Sequence, residues 1–302
     1  MYCFEAVSRT LNDLCQVNDQ YIFGNIPVIL GGDFAQTLPV VQHGYRAALL
    51  NSCLQRSSIW PHLQQLCFTQ NMRVSSNPVN VEFIPFLATM SYNPNQYSTP
   101  KVPGFIHQLH SLSAFCQHIF PQKLMVQAVE DHTILKSRPI LSFRNDTVSE
   151  FNELLILNFP GELFTFHAIN TSPGVDQLPA EYLQSIHHAS LPPSKLCLKI
   201  EVPVILLQNL SLKDGLLNGT RLTVTHIGHS HIRVRIMEGK FSGQERMLPR
   251  IKVTTLENDL LFILTRKQFP IRLCFAMTVN KAQEQSLSVV GVNLWTLAFS
   301  HE

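Results

Sequence analysis

The sequence predicts an α/β protein of two domains with a β-rich insertion in the second, and three observations carry that expectation. Pro27 to Leu30 is an apolar run that ends in Gly31-Gly32 and delivers Asp33 and Gln36, within PVILGGDFAQTLPVV. That is the pattern of a central parallel strand whose carboxyl end opens into a tight turn, the place where ligands bind in open α/β sheets. A second short strand, Pro139 to Phe143, runs directly into a helical pattern. Beyond Val202, short apolar runs separated by turn residues suggest a meander or small barrel before an α/β pattern resumes at Ile271 to Met277.

The elements follow in order. Phe4, Val7, Leu11 and Leu14 recur at steps of three and four, so Tyr2 to Gln16 reads as an amphipathic helix. After the strand at 27 to 30, Trp60-Pro61 marks a turn, and the apolar strand Leu66 to Thr69 leads into Asn71-Met72-Arg73. Val79 to Met90 reads as a helix. Asn93 to Pro103 is polar and contains three prolines, a natural exposed connection, which places a first domain at 1–100 and a second at 101–302. Ile106, Leu109, Leu112, Phe115 and Ile119 recur at helical spacing. Behind the strand 139–143, Asp146 or Thr147 can cap a helix running to about Asn158, with Glu150 completing a capping box if Thr147 is the cap. Val202 to Gln208 is an apolar strand, Asn218-Gly219 is a hairpin signal, and Ile232 to Met237 alternates apolar residues with arginine before a turn at Glu238-Gly239. The β-rich insertion spans roughly 210–268. A helix near Asn280 to Gln285 and a strand from Leu287 to Val292 follow.

Composition narrows the class. A chain of 302 residues that is 45% hydrophobic and 15% charged can bury a core in two domains. Val202 to Leu207 is the longest apolar candidate and falls far short of a membrane span, and the first residues carry no apolar signal core, so the expectation is an intracellular protein without a membrane partner. Seven cysteines without a C-x-x-C pair argue against a disulfide framework and a cysteine-based zinc site, and point to thiols that are reduced and mostly packed. His226, His229 and His231 lack a matching Cys or acidic set, so no metal is assigned. Net charge is only +2, but residues 201–302 hold 12 Lys+Arg against 8 Asp+Glu, a balance of +4 that leaves −2 for residues 1–200. Such an excess is either a solvated basic face or a phosphate-tracking surface.

Four motifs occur in a fixed order: GGDFAQ at 31–36, NMR at 71–73, NGTR at 218–221 and TVNKAQEQS at 278–286, the last within FPIRLCFAMTVNKAQ at 269–283. Together they resemble the later motifs of the Pif-type DNA helicases, the petite-integration-frequency family of superfamily one, in the form carried by Helitron transposons. The resemblance implies parts of two RecA-like motor domains, the first lacking its phosphate-binding loop, with a small β-barrel-like insertion in the second. It implies ATP-dependent unwinding of single-stranded or forked DNA, with ATP and Mg²⁺ as cofactors in an intact relative. Gln36 would sense the γ-phosphate or its attacking water, since an amide can donate and accept at once, with Asp33 holding the local network. Arg73 would reach the nucleotide, its fork matching phosphate oxygens. Gln36 and Arg73 would thus be catalytic, and Asp33, Gln36, Arg73 and Gln283 would contact the nucleotide. Thr278, Asn280, Lys281 and Ser286 would grip the DNA backbone, with Arg221 nearby or on the hairpin surface. Arg233, Arg235, Arg250, Lys252, Arg266, Lys267 and Arg272 would supply further phosphate contacts.

The sequence departs from the family pattern at Ala35, where the family has Arg, and at Glu284, where it has Gly. No G-x-x-x-x-G-K-[ST] cradle occurs in these 302 residues, so hydrolysis by this chain alone is expected to be absent or very weak. Two other classes stay open at this point: a non-enzymatic nucleic-acid-binding or interaction remnant, and an unrelated small-molecule enzyme built on the strand edge at Asp33.

Overall fold

In the computed structural model, residues 2–18, 20–34, 41, 44–68, 79–92, 101–172, 178–188, 190–255, 260, 262–283, 285 and 287–295 are described. The chain divides into two compact units, the first running to Gln108 and the second from Leu109 to Ala298.

The first unit opens with α1 (Tyr2–Cys15). Its amphipathic period suggests that the apolar stripe is buried, yet Phe4, Val7 and Leu14 are exposed and the buried positions are Ser8 and Asn12. The reason is hydrogen bonding. Ser8 Oγ accepts from the Phe23 amide at 2.9 Å, Asn12 Oδ1 accepts from the Gly24 amide at 2.7 Å, and Asn12 Nδ2 donates to the Tyr21 carbonyl at 2.8 Å. These polar side chains fasten the 3₁₀ turn Phe23–Asn25 to the helix. Gly24 is required there: its φ is +66°, and a Cβ would come within 2.8 Å of the Leu11 carbonyl oxygen. Ser57 Oγ donates to Glu5 Oε1 at 2.7 Å, bringing the later part of the unit back to α1. Then come α2 (Arg46–Ser52), 3₁₀ turns at Leu54–Arg56 and Trp60–His62, and α3 (Val79–Tyr92), which carries Pro85 inside it.

Neither strand expected in this unit forms a ladder among the described residues. Pro27 to Leu30 pairs with no described segment, and Ile29 is 98% exposed. Leu66 and Phe68 are likewise exposed and unpaired in any sheet, while Thr69 lies outside the described residues. An apolar tetrapeptide becomes a buried strand only with neighbours on its edges and a layer on each face.

The second unit begins with α4 (Leu112–Ile119), capped by Ser111, and α5 (Gln122–Glu130). The helical spacing from Ile106 is realised only from Leu112. Next come β1 (Ile140–Ser142) and α6 (Asn145–Asn158). The expected cap at Asp146 or Thr147 is corrected: the helix starts at Asn145 behind an extended Arg144, with no side-chain cap. Asp146 spends its carboxylate instead on the Arg144 guanidinium and the Thr147 amide. The chain continues through β2 (Phe164–His167), β3 (Ile169–Thr171), α7 (Ala180–Ser185), β4 (Lys195–Leu198), β5 (Pro203–Leu206), β6 (Arg221–Ile227), β7 (His231–Ile236) and β8 (Glu245–Pro249). It ends with β9 (Ile251–Thr254), β10 (Thr265–Gln268), β11 (Ile271–Leu273), β12 (Ala276–Thr278), a 3₁₀ turn at Val279–Ala282 and β13 (Gly291–Val292).

These strands build a parallel sheet, β12-β1-β13, and three antiparallel sheets, β11-β5-β6-β7-β8, β3-β10-β9 and β2-β4. The run Ile271 to Met277 is therefore two strands, one closing the five-stranded sheet and one opening the parallel one. A single apolar cluster joins Phe115, Ile140, Phe151 and Phe275 of the parallel layer to Val204, Leu222 and Val234 of the five-stranded sheet. Gly291 lets β13 approach α4, since a Cβ there would lie 2.8 Å from both Phe115 and Ile119. Of the seven cysteines, only Cys116 and Cys274 are buried, so the thiols are not mostly packed; Cys3, Cys15 and Cys67 are exposed.

Two buried polar side chains hold the layers together. Asn152 of α6 donates to the Ala276 carbonyl at 3.0 Å and accepts from the Ala276 amide at 2.9 Å, taking the place of a strand on the free edge of β12. Arg221, at the start of β6, donates to the carbonyls of Leu135 (3.2 Å) and Lys136 ahead of β1, and pairs with Glu238 at 3.3 Å. Its side chain is 1% exposed. Arg221→Met would strand Glu238 and both carbonyls, and the expected cost is about 3 kcal/mol or more of unfolding free energy by urea titration. Arg221→Lys recovers only part of it, since an ammonium cannot fork between two carbonyls. A loss below about 1 kcal/mol for the methionine variant, the range of ordinary surface changes, contradicts this role.

Candidate nucleic-acid interface

All strands of the sheet β12-β1-β13 run the same way, so their carboxyl ends share one edge. The register sets Ser142 beside Thr278, and Asn293 follows β13. Asn293 closes the floor of this edge, donating to Ser142 Oγ at 3.2 Å and to the Leu141 carbonyl through its amide at 2.8 Å. β1 leads through Arg144 into the amino end of α6, and β12 leads into the turn carrying Asn280 and Lys281. The edge therefore offers hydroxyls, amides and cations.

Two segments far apart in sequence meet here. Lys281 Nζ donates to Asn218 Oδ1 at 2.7 Å, joining the NGTR turn to the TVNKAQ segment across 63 residues. The turn is held open by Gly219 at φ +91°, and its Asn218 amide donates to Asn209 Oδ1 at 2.7 Å. Arg272, in β11, donates to Asn145 Oδ1 at 3.3 Å at the start of α6. Burial holds the Lys281 ammonium below its usual range, and repulsion from Arg272 adds to it. Burial likewise lowers Arg272. Two cations thus sit near each other, each donating a hydrogen bond to an uncharged side-chain amide, an arrangement that leaves positive charge to be met by an anion.

Of the residues the sequence singled out, Thr278, Asn280 and Lys281 belong to this edge. Arg221 does not contact its surface: it is interior, consumed by backbone carbonyls and Glu238. Arg266 is likewise buried, donating to Asn170 Oδ1 and to the carbonyls of Leu183, Ile186 and Pro192 at 2.7–3.1 Å, so it supplies no phosphate contact. Gln36, Arg73, Glu284 and Ser286 lie outside the described residues. Asp33 is exposed in the first unit and Gln283 is exposed in the second. The described residues do not make up a set that would hold a nucleotide, and among them no group of three or more His, Cys, Asp or Glu could hold a metal ion. No described helix is long and apolar enough to cross a membrane. Asn145 and Asn218 were missed as site residues, because an Asn at a helix start or in an Asn-Gly turn has a sufficient local explanation.

The profile of PIF1-like helicases matches residues 1–85, and that of the DNA helicase Pif1 2B domain matches residues 181–227. The ATP-dependent DNA helicase PIF1 of Danio rerio is 27% identical over 295 residues, covering 96% of this chain and 39% of that protein. The Homo sapiens protein of the same name is 26% identical with the same coverages, and that of Bdellovibrio bacteriovorus is 26% identical over 90% of this chain and 52% of its own length. The chain thus spans about two fifths of the Danio rerio and Homo sapiens proteins. Among solved structures, the Pif1 helicase of Candida albicans superposes with a TM-score of 0.58 at 19% identity over 96% of this chain and 63% of that one. A Bacteroides Pif1 helicase in complex with ADP-AlF3 and ssDNA gives 0.56 at 18%, over 96% of this chain and 60% of that one. The fold is that of these proteins.

The charge pair at the mouth of the edge supplies a direct check. Arg144 Nη2 lies 2.5 Å from Asp146, and hydrogen bonds from Arg144 and the Thr147 amide hold the Asp146 carboxyl down to about 2. A depressed carboxyl stabilises above its unfolded value near 3.8 and loses that contribution as pH falls through about 2. Carbon NMR should find the Asp146 midpoint near 2, rising toward 3.8 in Arg144→Gln. A midpoint near 4 in the unaltered protein contradicts the pairing.

Proposed function

We propose, from the premise that this chain is a relative of the Pif1-type DNA helicases, that its second unit is the strand-gripping part of an ATP-dependent DNA helicase. The supporting observation is the Lys281–Asn218 hydrogen bond beside Arg272 at the carboxyl edge of the parallel sheet. Cations and short polar groups at such an edge hold phosphates without reading bases, as a motor that steps along arbitrary sequence requires. Thr278 and Asn280 supply a hydroxyl and an amide to the backbone, Lys281 supplies the charge, and Asn218 keeps its ammonium at the edge. Ser286 completes the grip in this reading.

Coupling to nucleotide belongs to the other residues of the resemblance. Gln36 and Arg73 are assigned to the γ-phosphate, Asp33 and Gln283 to its surroundings, and ATP with Mg²⁺ to the full-length protein. Single-stranded or forked DNA is the polymer acted upon. These 302 residues hold no Gly-rich cradle ending in Gly-Lys-Ser/Thr, so the purified chain is proposed to bind a strand with little or no hydrolysis.

The chain should bind a labelled oligothymidine and a mixed-sequence strand about equally at low salt, with affinity falling as salt rises. Lys281→Gln should weaken both about tenfold and reduce the salt slope by about 0.7. No binding at low salt, or a Lys281→Gln variant unchanged in affinity and slope, contradicts the reading. DNA-stimulated ATP turnover by the chain alone contradicts its lack of hydrolysis.

A further inference from the structure

A second concentration of positive charge lies on the sheet β3-β10-β9, away from the parallel-sheet edge in sequence and in sheet. The register aligns Ile169, Lys267 and Lys252 in one cross-strand row and Thr171, Thr265 and Thr254 in another. Positions two apart along a strand share a face, so both rows lie on the same side. The pattern of burial agrees: Lys252, Lys267, Ile169, Thr171 and Thr254 are exposed, whereas Arg266 and Val253 between them point inward. Within the second row the Thr254 and Thr265 hydroxyls lie 3.1 Å apart.

Lys252 and Lys267 are directly opposed in an antiparallel ladder, which brings their Cβ atoms to about 5 Å and makes two like charges repel. Neither has a carboxylate partner among the described residues. Arg250 extends the charge: it immediately precedes β9, and its guanidinium lies 5.3 Å from the Phe166 ring and 5.2 Å from the Phe269 ring, fixed there by donation to the His167 carbonyl at 3.3 Å. The face therefore combines a repelling lysine pair, a rigidly stacked arginine and three hydroxyls, a set that fits successive phosphates and offers nothing to read a base.

We infer that the exposed face of β3-β10-β9 is a second contact surface for a single nucleic-acid strand, held through its phosphates by Lys252, Lys267 and Arg250. The inference rests on the reading that this chain engages a strand, and adds a second site to it. Occupancy would neutralise the opposed lysines, so the ligand relieves a repulsion built into the ladder.

The test uses the full 302-residue chain, a fluorescein-labelled oligothymidine long enough to reach both surfaces, and a sodium chloride series. The Lys252→Gln, Lys267→Gln double variant should lose about tenfold in affinity at low salt and about 1.4 in salt slope, twice the single-strand value per phosphate contact. Its thermal midpoint should be unchanged or raised, because a repulsion is removed. Lys252→Arg, Lys267→Arg should keep the affinity. A double glutamine variant that binds as the parent does, while Lys281→Gln still weakens binding, overturns the second surface and leaves the first. A parent chain that binds no oligothymidine overturns both. Tighter binding of polyglutamate than of oligothymidine, lost in the same double variant, assigns the face to an acidic protein segment and overturns the inference.

Discussion

The second unit depends on where Arg221 spends its donors. The residue begins β6, yet it reaches out of the five-stranded sheet to the carbonyls of Leu135 and Lys136, which precede β1 of the parallel layer. A guanidinium suits this position because it stays charged and presents several donors in one plane, so a single side chain can satisfy separate backbone acceptors and Glu238 together. Asn152 performs the matching task on the other side, closing the free edge of β12 from α6. With those two contacts made, the turn before β6 and the turn after β12 meet, and Asn218 accepts from Lys281. The proposed grip is thus a consequence of how two layers are bolted together.

The limits of sequence reading are clearest in one repeated tetrapeptide. Pro-Val-Ile-Leu occurs at 27–30 and again at 203–206. The second copy is the fully buried strand β5, flanked by β11 and β6, whereas the first is exposed from Pro27 to Ile29, half-buried at Leu30, and paired in a ladder with no described residue. Local composition is identical, so the difference lies in the partners, which a window of sequence does not contain. The same reason explains α1: its period announced a helix correctly, but the buried face was decided by Ser8 and Asn12 hydrogen-bonding a distant turn. Where local and tertiary signals agree, the reading was sound, as in α3, β1 followed by α6, and the Asn218-Gly219 turn.

At the candidate site, residue types were legible and their destinations were not. Thr278, Asn280 and Lys281 sit where a strand edge and turn would put them. Arg221 and Arg266 look like surface cations by chemistry and alternation, but each is drawn inside by clusters of unpaired carbonyls that only the folded chain assembles. Excess positive charge in residues 201–302 is therefore partly structural. Of the charge that remains outside, part lies at the Lys281–Arg272 edge and part on the Lys252–Lys267 face, while Lys213, Arg233 and Lys240 are exposed elsewhere.

A double-mutant cycle on strand binding tests most directly whether the NGTR turn and the TVNKAQ segment act as one grip. Asn218→Ala, Lys281→Ala and the pair would each be titrated with one oligothymidine at fixed low salt. The account predicts a coupling of at least about 0.5 kcal/mol, because the amide acts only through the ammonium it orients. Losses that add to within about 0.3 kcal/mol would show two independent residues, and the grip as described would not exist.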